Sequence, residues 1–172
     1  NSDVFEADSV IYDLEDAVSV TEKDSARILV SQFLRSAKND FPMEIVVRIN
    51  GLDTEYYLDD LNMIVSDKID TIMLPKARVD TLIELDKLLT KIEESKGLNK
   101  KIGVIPIIEL AISVLEVDEI AKLPRVNGIL LGAEDLSSDL EVARTKSGAE
   151  ILYPRMRVAM ACAAYKIDSI DT

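Results

Sequence analysis

Short apolar segments alternate along the chain with longer segments in which apolar residues recur every three or four positions. The first pattern is typical of buried strands, and the second is typical of amphipathic helices that pack on a sheet. The six predicted strands span residues 9–16, 44–50, 71–76, 102–109, 127–134 and 167–171. The five predicted helices span residues 22–37, 55–66, 80–96, 113–123 and 151–165. Regular alternation of strands and helices predicts a parallel sheet, either as a barrel or as an open doubly wound sheet.

Two of the predicted helices carry signals at their ends. Thr21, followed three residues later by Asp24, indicates an N-cap pair at the start of the first helix. Gly97, directly after Lys96, indicates the C-cap of the third helix. An apolar stripe along that third helix predicts packing in the core, and it consists of Leu82, Leu85, Leu89 and Ile92.

Charged and polar residues are concentrated at the ends of the predicted strands. In a parallel α/β barrel these ends meet at one rim, where active sites are built. A buried charge without a partner is costly, so such residues should be paired, hydrated or bound to a metal. Each one alone is more readily explained as a helix cap or an ion pair, whereas the whole set favours a site. The strand-end residues are Asp13, Glu15, Asp16, Arg48, Asn50, Lys76, Glu109, Glu134 and Asp135.

Strand alternation suggests which of these side chains share a face. Arg48 and Asn50 do so, Glu109 shares a face with Ile107, and Asp135 faces the same way if its strand continues that far. Two carboxylates and an arginine could then converge, which suits a hard divalent cation and an anionic ligand. Lys76 could form a Schiff base with a carbonyl substrate, but a structural ion pair is an equally good interpretation.

Composition narrows the chemistry further. The sequence has no histidine, which excludes Ser-His-Asp and Cys-His catalysis and a histidine-rich zinc site within these residues. Any metal would be held by oxygen, which points to Mg²⁺, Mn²⁺ or Ca²⁺. The single cysteine, Cys162, allows no internal disulfide, fits a reducing cytoplasm, and is expected to be a small buried hydrophobe.

The net charge of the chain limits its possible binding partners, and its length indicates how much of a domain it can form. The 20 basic residues are scattered among 32 acidic ones, giving a net charge of −12, so we expect no nucleic-acid partner and no attraction to an anionic membrane. No apolar run approaches the ~20 residues of a membrane span. The chain has 172 residues and begins with Asn1, whereas a TIM barrel usually needs roughly 250 residues. We therefore expect a piece of a longer protein.

Five segments together resemble a known signature. In order and spacing they are similar to those of the citrate lyase β subunit family of the HpcH/HpaI aldolase superfamily. Residues 22–34 and 150–164 resemble that family more than the related malyl-CoA and citramalyl-CoA lyases. The five segments are residues 7–18 (ADSVIYDLEDAV), 47–50 (VRIN), 74–76 (LPK), 108–109 (IE) and 132–136 (GAEDL).

The resemblance implies a fold and a set of site residues. The fold would be a (β/α)₈ TIM barrel, with residues 1–172 as a partial catalytic domain covering about strands two to seven of eight. The first strand, the last strand and a C-terminal lid, which supplies an acid/base carboxylate to a neighbouring subunit, would lie outside the segment. Mg²⁺ would be bound by Glu109 and Asp135. The residues expected to contact or surround substrate are Arg48, Asn50, Glu15, Asp16, Glu109, Gly132 and Ala133.

The activity implied is that of a Mg²⁺-dependent carbon–carbon lyase. A citryl thioester, carried on acyl-carrier protein or on CoA, would be cleaved to oxaloacetate and an acetyl thioester in the cytoplasm during citrate fermentation. The resemblance also implies other citrate lyase subunits and a homo-oligomer as partners. Two alternatives remain open: a malyl-CoA or citramalyl-CoA lyase with the same site, and a non-catalytic scaffold subunit of a lyase complex.

Overall fold

The computed structural model describes residues 7–36 and 42–171, and it places the chain in the α/β class. The strands in these ranges are β1 (Ser9–Asp13), β2 (Glu44–Arg48), β3 (Thr71–Leu74), β4 (Gly103–Ile108), β5 (Gly128–Leu131) and β6 (Asp168–Asp171). The α-helices are α1 (Lys23–Ser36), α2 (Tyr57–Ile64), α3 (Val79–Lys96), α4 (Ala111–Ala121), α5 (Ala133–Asp139) and α6 (Leu152–Tyr165). Short 3₁₀ helices at Val20–Glu22 and Ala149–Ile151 precede α1 and α6.

The chain divides into two compact units, and the first comprises residues 1–73 and 87–103. In this unit β2 lies between β1 and β3, and both strand pairs are parallel. The apolar residues of β2, Ile45, Val46 and Val47, are completely buried, as expected for a central strand. The register places Asp13, the last residue of β1, beside Arg48, the last residue of β2.

The second unit comprises residues 74–86 and 104–172. Here β5 lies between β4 and β6, again in parallel pairs. Helix α6 packs on α4, β5 and β6, and it buries Val158 and Cys162. The expectation that Cys162 is a small buried hydrophobe is confirmed, and burial raises the pKa of its free thiol.

All six predicted strands are present, but most of them end earlier than predicted. β1 ends at Asp13 rather than Asp16, because the Asp13 carboxylate accepts hydrogen bonds from the next backbone N–H groups and turns the chain away. β5 ends at Leu131 rather than Glu134, because residues from Ala133 onward form α5, which the sequence analysis missed. The other predicted bounds differ by a few residues, and the predicted end of the first helix at Ala37 lies outside the described residues.

The C-cap predicted after α3 is confirmed. Gly97 has φ 64°, its N–H donates to the Glu94 carbonyl at 3.1 Å, and the Leu98 N–H donates to the Glu93 carbonyl at 3.0 Å. The apolar stripe of α3 is buried as well, with all four of its side chains at most 8% exposed.

The N-cap pair predicted at the start of α1 is wrong. Thr21 lies inside the 3₁₀ helix Val20–Glu22, and its hydroxyl is 3.2 Å from Ser19 Oγ rather than bonded to a helix N–H. Asp24 lies in the first turn of α1 and pairs with Arg27 at 2.6 Å. The extra 3₁₀ turn shifts the true start of the helix past the motif. No helix within residues 7–36 and 42–171 is both long and apolar enough to cross a membrane.

Candidate functional site

Arg48 is held at the end of β2 by the carboxylate beside it on β1. Its Nε donates to Asp13 Oδ1 at 2.8 Å, and its Nη2 donates to Asp13 Oδ2, so the pair is bidentate. Donating hydrogen bonds to the Asp13 carboxylate raises the pKa of Arg48 above its ordinary value. Burial would raise the pKa of Asp13, but the Arg48 hydrogen bond and two backbone N–H groups together lower it. Both groups are therefore charged, and the arginine plane is fixed.

The turn after β1 brings two further carboxylates to Arg48. Glu15 Oε2 lies 3.1 Å from Nη1, and Asp16 Oδ2 lies 3.9 Å from the same nitrogen. Among the described residues no donor is aligned for a hydrogen bond to Glu15 Oε2, so its contact with Arg48 is ionic only. Burial raises the pKa of Glu15, with Asp16 adding to the increase and Arg48 opposing it. Glu15 and Asp16 therefore both lie within ionic reach of Arg48 Nη1.

Asn50 lies in a buried network below this turn. Its side-chain N–H groups donate to the Leu14 carbonyl at 3.0 Å and to Asp60 Oδ2 at 2.7 Å, and its backbone N–H donates to the same Asp60 atom at 2.9 Å. Arg27 pairs with the other oxygen of Asp60 at 2.8 Å. Both side-chain N–H groups of Asn50 are therefore used in hydrogen bonds that stabilise the turn. Lys23 supports the turn from α1 by donating to the Leu14 and Glu15 carbonyls.

In the second unit, Glu109 follows β4 and is 3% exposed. Its Oε1 accepts a 2.6 Å hydrogen bond from the backbone N–H of Lys76. Lys76 has φ 48°, a left-handed conformation that is unfavourable for a residue other than glycine. The turn is fixed by Ala77, whose N–H donates to the Ile107 carbonyl at 3.3 Å and whose carbonyl accepts from Ser113 Oγ at 2.6 Å. A strained turn thus directs a backbone donor at a buried carboxylate, while the Lys76 side chain itself is exposed.

Gly132 leaves room for the Glu109 side chain. Its N–H donates to the Ile108 carbonyl at 3.0 Å, which extends the pairing of β4 with β5. A Cβ atom at this position would lie 2.8 Å from Ile107 Cγ2, 2.9 Å from Glu109 Cβ and 2.9 Å from Glu109 Oε2. Only glycine fits such a close approach without displacing the carboxylate.

Asp135 is presented by a helix rather than by a strand. The expectation that strand alternation continues to Asp135 is wrong, because the strand ends at Leu131 and Asp135 lies in the first turn of α5. The helix presents Asp135 to solvent, and it buries the neighbouring Ala133 and Leu136. Its neighbour Glu134 accepts a 2.9 Å bond from Arg144, which also pairs with Glu150 at 2.9 Å. This ion-pair network links the first turn of α5 to the 3₁₀ helix before α6.

The carboxylates of the second unit have the chemistry of a Mg²⁺ site. Among residues 7–36 and 42–171 no group of three or more His, Cys, Asp or Glu side chains could hold a metal, so a protein-only cage is absent there. Mg²⁺ is commonly bound through one or two carboxylates and completes its shell with water and substrate oxygens. Glu109 and Asp135 match that donor set, and glycine at position 132 leaves the position of Glu109 Oε2 unobstructed by a side chain of its own.

The sequence analysis gives no role to Lys23 beside Arg48 or to the Lys76 N–H beside Glu109, and it names Asp13 only as one of the strand-end residues. The signal for Asp13 was present, because parallel pairing of the first two strands with both ends polar puts it beside Arg48. No sequence pattern marks the Lys76 N–H, because it depends on a positive φ at a residue that is not glycine.

Comparisons with known proteins consistently match one family. The family model HpcH/HpaI aldolase/citrate lyase matches residues 1–172. Citrate lyase subunit beta of Leuconostoc mesenteroides subsp. cremoris is 41% identical over 174 residues, covering 98% of this chain and 57% of that protein. L-malyl-CoA/β-methylmalyl-CoA lyase of Rhodobacter capsulatus is 36% identical over 149 residues, covering 83% of this chain and 46% of that protein. The chain thus spans little more than half the length of the curated relatives it matches.

Solved structures are similar as well. A citrate lyase beta subunit from M. tuberculosis, complexed with oxaloacetate and magnesium, has a TM-score of 0.77 and 29% identity, with 98% of this chain and 70% of that chain covered. A CitE structure from Mycobacterium tuberculosis with magnesium, acetoacetate and coenzyme A has the same TM-score and identity, with 99% of this chain and 59% of that chain covered.

Proposed function

The chain belongs to the HpcH/HpaI aldolase/citrate lyase family, and from this we propose that it is the central part of a Mg²⁺-dependent lyase that cleaves a citryl thioester to oxaloacetate and an acetyl thioester. The observation that carries the proposal is Glu109, a buried carboxylate oriented by the strained Lys76 turn and accommodated by Gly132. The identity with citrate lyase subunit beta of Leuconostoc mesenteroides supports the choice of substrate.

Glu109 and Asp135 are the proposed ligands of Mg²⁺. When bound, Mg²⁺ supplies Lewis acidity that stabilises negative charge on substrate oxygens. The Lys76 N–H keeps the Glu109 carboxylate in one orientation, so little reorganisation accompanies binding. Asp135 on the first turn of α5 contributes a second charge, and the Arg144 network attached to Glu134 steadies that turn.

Arg48 is the proposed substrate-binding cation. Cleavage breaks the bond between the hydroxyl-bearing carbon and the carbon next to the thioester, so the hydroxyl loses its proton and the departing fragment is a thioester enolate that must gain one. Arg48 can donate to a substrate oxygen on which negative charge resides or develops, a contribution typically worth about 3–4 kcal/mol in the transition state. The backbone N–H groups of Gly132 and Ala133 are further candidates for contact with substrate, and Glu15 and Asp16 border Arg48.

The same proposal also covers the position of the strands in a complete barrel, the carrier of the thioester and the cellular location. The six strands are proposed to be the second to seventh of a (β/α)₈ barrel, with residues 1–172 as part of its catalytic domain, which regular α/β alternation supports. The carrier is acyl-carrier protein or CoA, and the CoA-bound CitE structure supports a thioester site. We further propose that the protein forms a homo-oligomer in the cytoplasm and associates there with other lyase subunits. The free, buried Cys162 is compatible with a reducing compartment.

A second candidate activity is cleavage of malyl-CoA or β-methylmalyl-CoA, which the similarity to the Rhodobacter capsulatus lyase favours. Assays of the full-length protein with citryl-CoA, malyl-CoA and β-methylmalyl-CoA, each with and without Mg²⁺, separate the two. Preferential release of oxaloacetate from citryl-CoA supports the main proposal, and preferential release of glyoxylate from a malyl thioester supports the second.

A non-catalytic scaffold is the remaining alternative. It predicts no turnover of any thioester and no loss of Mg²⁺ binding when Glu109 is replaced by glutamine. Mg²⁺ titration of wild-type protein, Glu109→Gln and Asp135→Asn therefore tests the metal site apart from turnover. We expect each substitution to weaken Mg²⁺ binding at least tenfold, because a hard cation loses one of two anionic ligands.

A further inference from the structure

Asp13 binds one edge of the Arg48 guanidinium. The two residues are side by side in the β1–β2 register, and the carboxylate accepts from both Nε and Nη2. The side chains of Arg48 and Asp13 are each about one-fifth exposed, so water competes only in part for the hydrogen bonds between them. A bidentate pair between charged groups is both strong and directional.

The remaining donors of Arg48 point away from Asp13. A guanidinium offers N–H donors on Nε, Nη1 and Nη2, and Asp13 occupies the edge formed by Nε and Nη2. Nη1 is left with the ionic contacts to Glu15 at 3.1 Å and Asp16 at 3.9 Å. Without Asp13, the guanidinium could rotate and pair bidentately with Glu15, which would remove its donors from any ligand.

We propose that Asp13 is a positioning residue, which holds the Nε–Nη2 edge of Arg48 so that Nη1 is presented to a substrate oxygen. This inference rests on the proposed function only in assigning the ligand to Arg48; the constraint on the guanidinium is independent of it. Asp13 also accepts from the Glu15 N–H at 2.9 Å and the Ala17 N–H at 3.3 Å, so a single carboxylate orders both the arginine and the turn that bears the competing carboxylates.

The dual role makes asparagine the informative replacement. In Asp13→Asn the side-chain oxygen can still accept from the Glu15 N–H, so the shorter of the two hydrogen bonds that shape the turn is kept, and only the 3.3 Å bond from the Ala17 N–H is lost with Oδ2. Its NH₂ group cannot accept from Nη2, so the bidentate pair is lost. The variant thus separates positioning of Arg48 from folding of the turn, whereas Asp13→Ala removes both.

The test is a double-mutant cycle in the full-length protein with citryl-CoA and Mg²⁺. Arg48→Ala should lower kcat/KM by about a hundredfold. Asp13→Asn should lower kcat about tenfold or more in the wild-type background with a smaller change in KM, but less than about twofold in the Arg48→Ala background. Asp118→Asn, which weakens the part-buried 3.0 Å pair with Arg157 at a distance from Arg48 in the sequence, is the matched control and should change kcat less than about twofold. Equal losses from Asp13→Asn in both backgrounds would overturn the inference and leave the proposed function intact.

An NMR measurement tests the positioning without turnover. In the wild type the Arg48 Nε–H should be protected from exchange with solvent, and Asp13→Ala, which removes the Oδ1 acceptor of that N–H, should accelerate its exchange at least about tenfold. If the wild type cleaves none of the thioesters, the proposed function fails while this exchange rate still decides the positioning role. An unchanged Nε–H exchange rate in Asp13→Ala would contradict it.

Discussion

Replacing Gly132 with alanine would place a methyl group where the Glu109 side chain lies. The added Cβ would be 2.8 Å from Ile107 Cγ2 and 2.9 Å from both Glu109 Cβ and Glu109 Oε2. Carbon atoms in contact normally lie about 3.5–4.0 Å apart, so something must move by roughly 0.7 Å. The Glu109 carboxylate has more freedom to shift than Ile107 Cγ2, because Glu109 follows β4 and has three side-chain torsions, whereas Cγ2 branches directly from the Cβ of a residue within the strand.

The effect on stability should be small compared with the effect on the metal site. Overpacking typically costs about 1–3 kcal/mol. Gly132 has φ −84°, within the range that alanine adopts, so the substitution also restricts the unfolded chain and recovers about 0.4–1 kcal/mol. We expect a net loss of about 0–2.6 kcal/mol. Mg²⁺ binding should weaken at least about tenfold, since ligating oxygens must be placed to within roughly 0.5 Å.

The assay is Mg²⁺ titration by calorimetry, paired with urea unfolding of the same protein. Gly128→Ala is the matched control, because Gly128 begins β5, which Gly132 directly follows, and its added Cβ would meet Asp168 at 3.3 Å and Ile105 at 3.6 Å rather than Glu109. The control should lose little stability and bind Mg²⁺ as the wild type does. Wild-type Mg²⁺ affinity in a folded Gly132→Ala protein would refute the argument that this glycine keeps the Glu109 carboxylate in place.

Two further substitutions test the electrostatic account. Asp60→Ala should destabilise the protein by about 3–5 kcal/mol in urea unfolding, because it leaves Arg27 buried without its 2.8 Å partner. Asp24→Ala removes the exposed partner of the same arginine and should cost less than about 1 kcal/mol. Similar losses in the two variants would contradict the conclusion that Asp60 is the main partner of Arg27. Hydrogen bonds from Thr145 lower the pKa of Glu150 to about 2, below its ordinary 4.5, so the stabilisation of this loop should be complete above pH 4.5 and should be lost as pH falls toward 2. Amide-exchange protection of Thr145 should follow that course in the wild type and not in Glu150→Gln, and the same pH dependence in both would disprove the link.

The sequence predicts the elements better than their ends. Strand positions are recognisable because β2 and β4 are continuous apolar segments, and such segments are buried in parallel sheets. Their ends are not recognisable, because polar residues that follow a strand can either extend it or turn the chain. Residues 133 and 134 illustrate the difficulty: they are predicted to end the fifth strand, yet they begin α5.

The candidate site was predictable as a set of residues but not as a set of contacts. Arg48, Glu15 and Asp16 are associated as strand-end logic predicts, and the pairing of Asp13 with Arg48 follows from register. The hydrogen bonds of Asn50 to Leu14 and Asp60 in a buried network could not be predicted, because one amide can serve several backbone and carboxylate partners. Such three-dimensional partners leave no periodic pattern in a sequence.

The central claim is most directly tested by following oxaloacetate release from citryl-CoA by the full-length protein. The account predicts steady release that requires Mg²⁺, stops on addition of a chelator, resumes when Mg²⁺ is restored, and is reduced at least a hundredfold in Glu109→Gln. Folded wild-type protein that releases no oxaloacetate with Mg²⁺ present, or Glu109→Gln that releases it as fast as the wild type, would contradict the account.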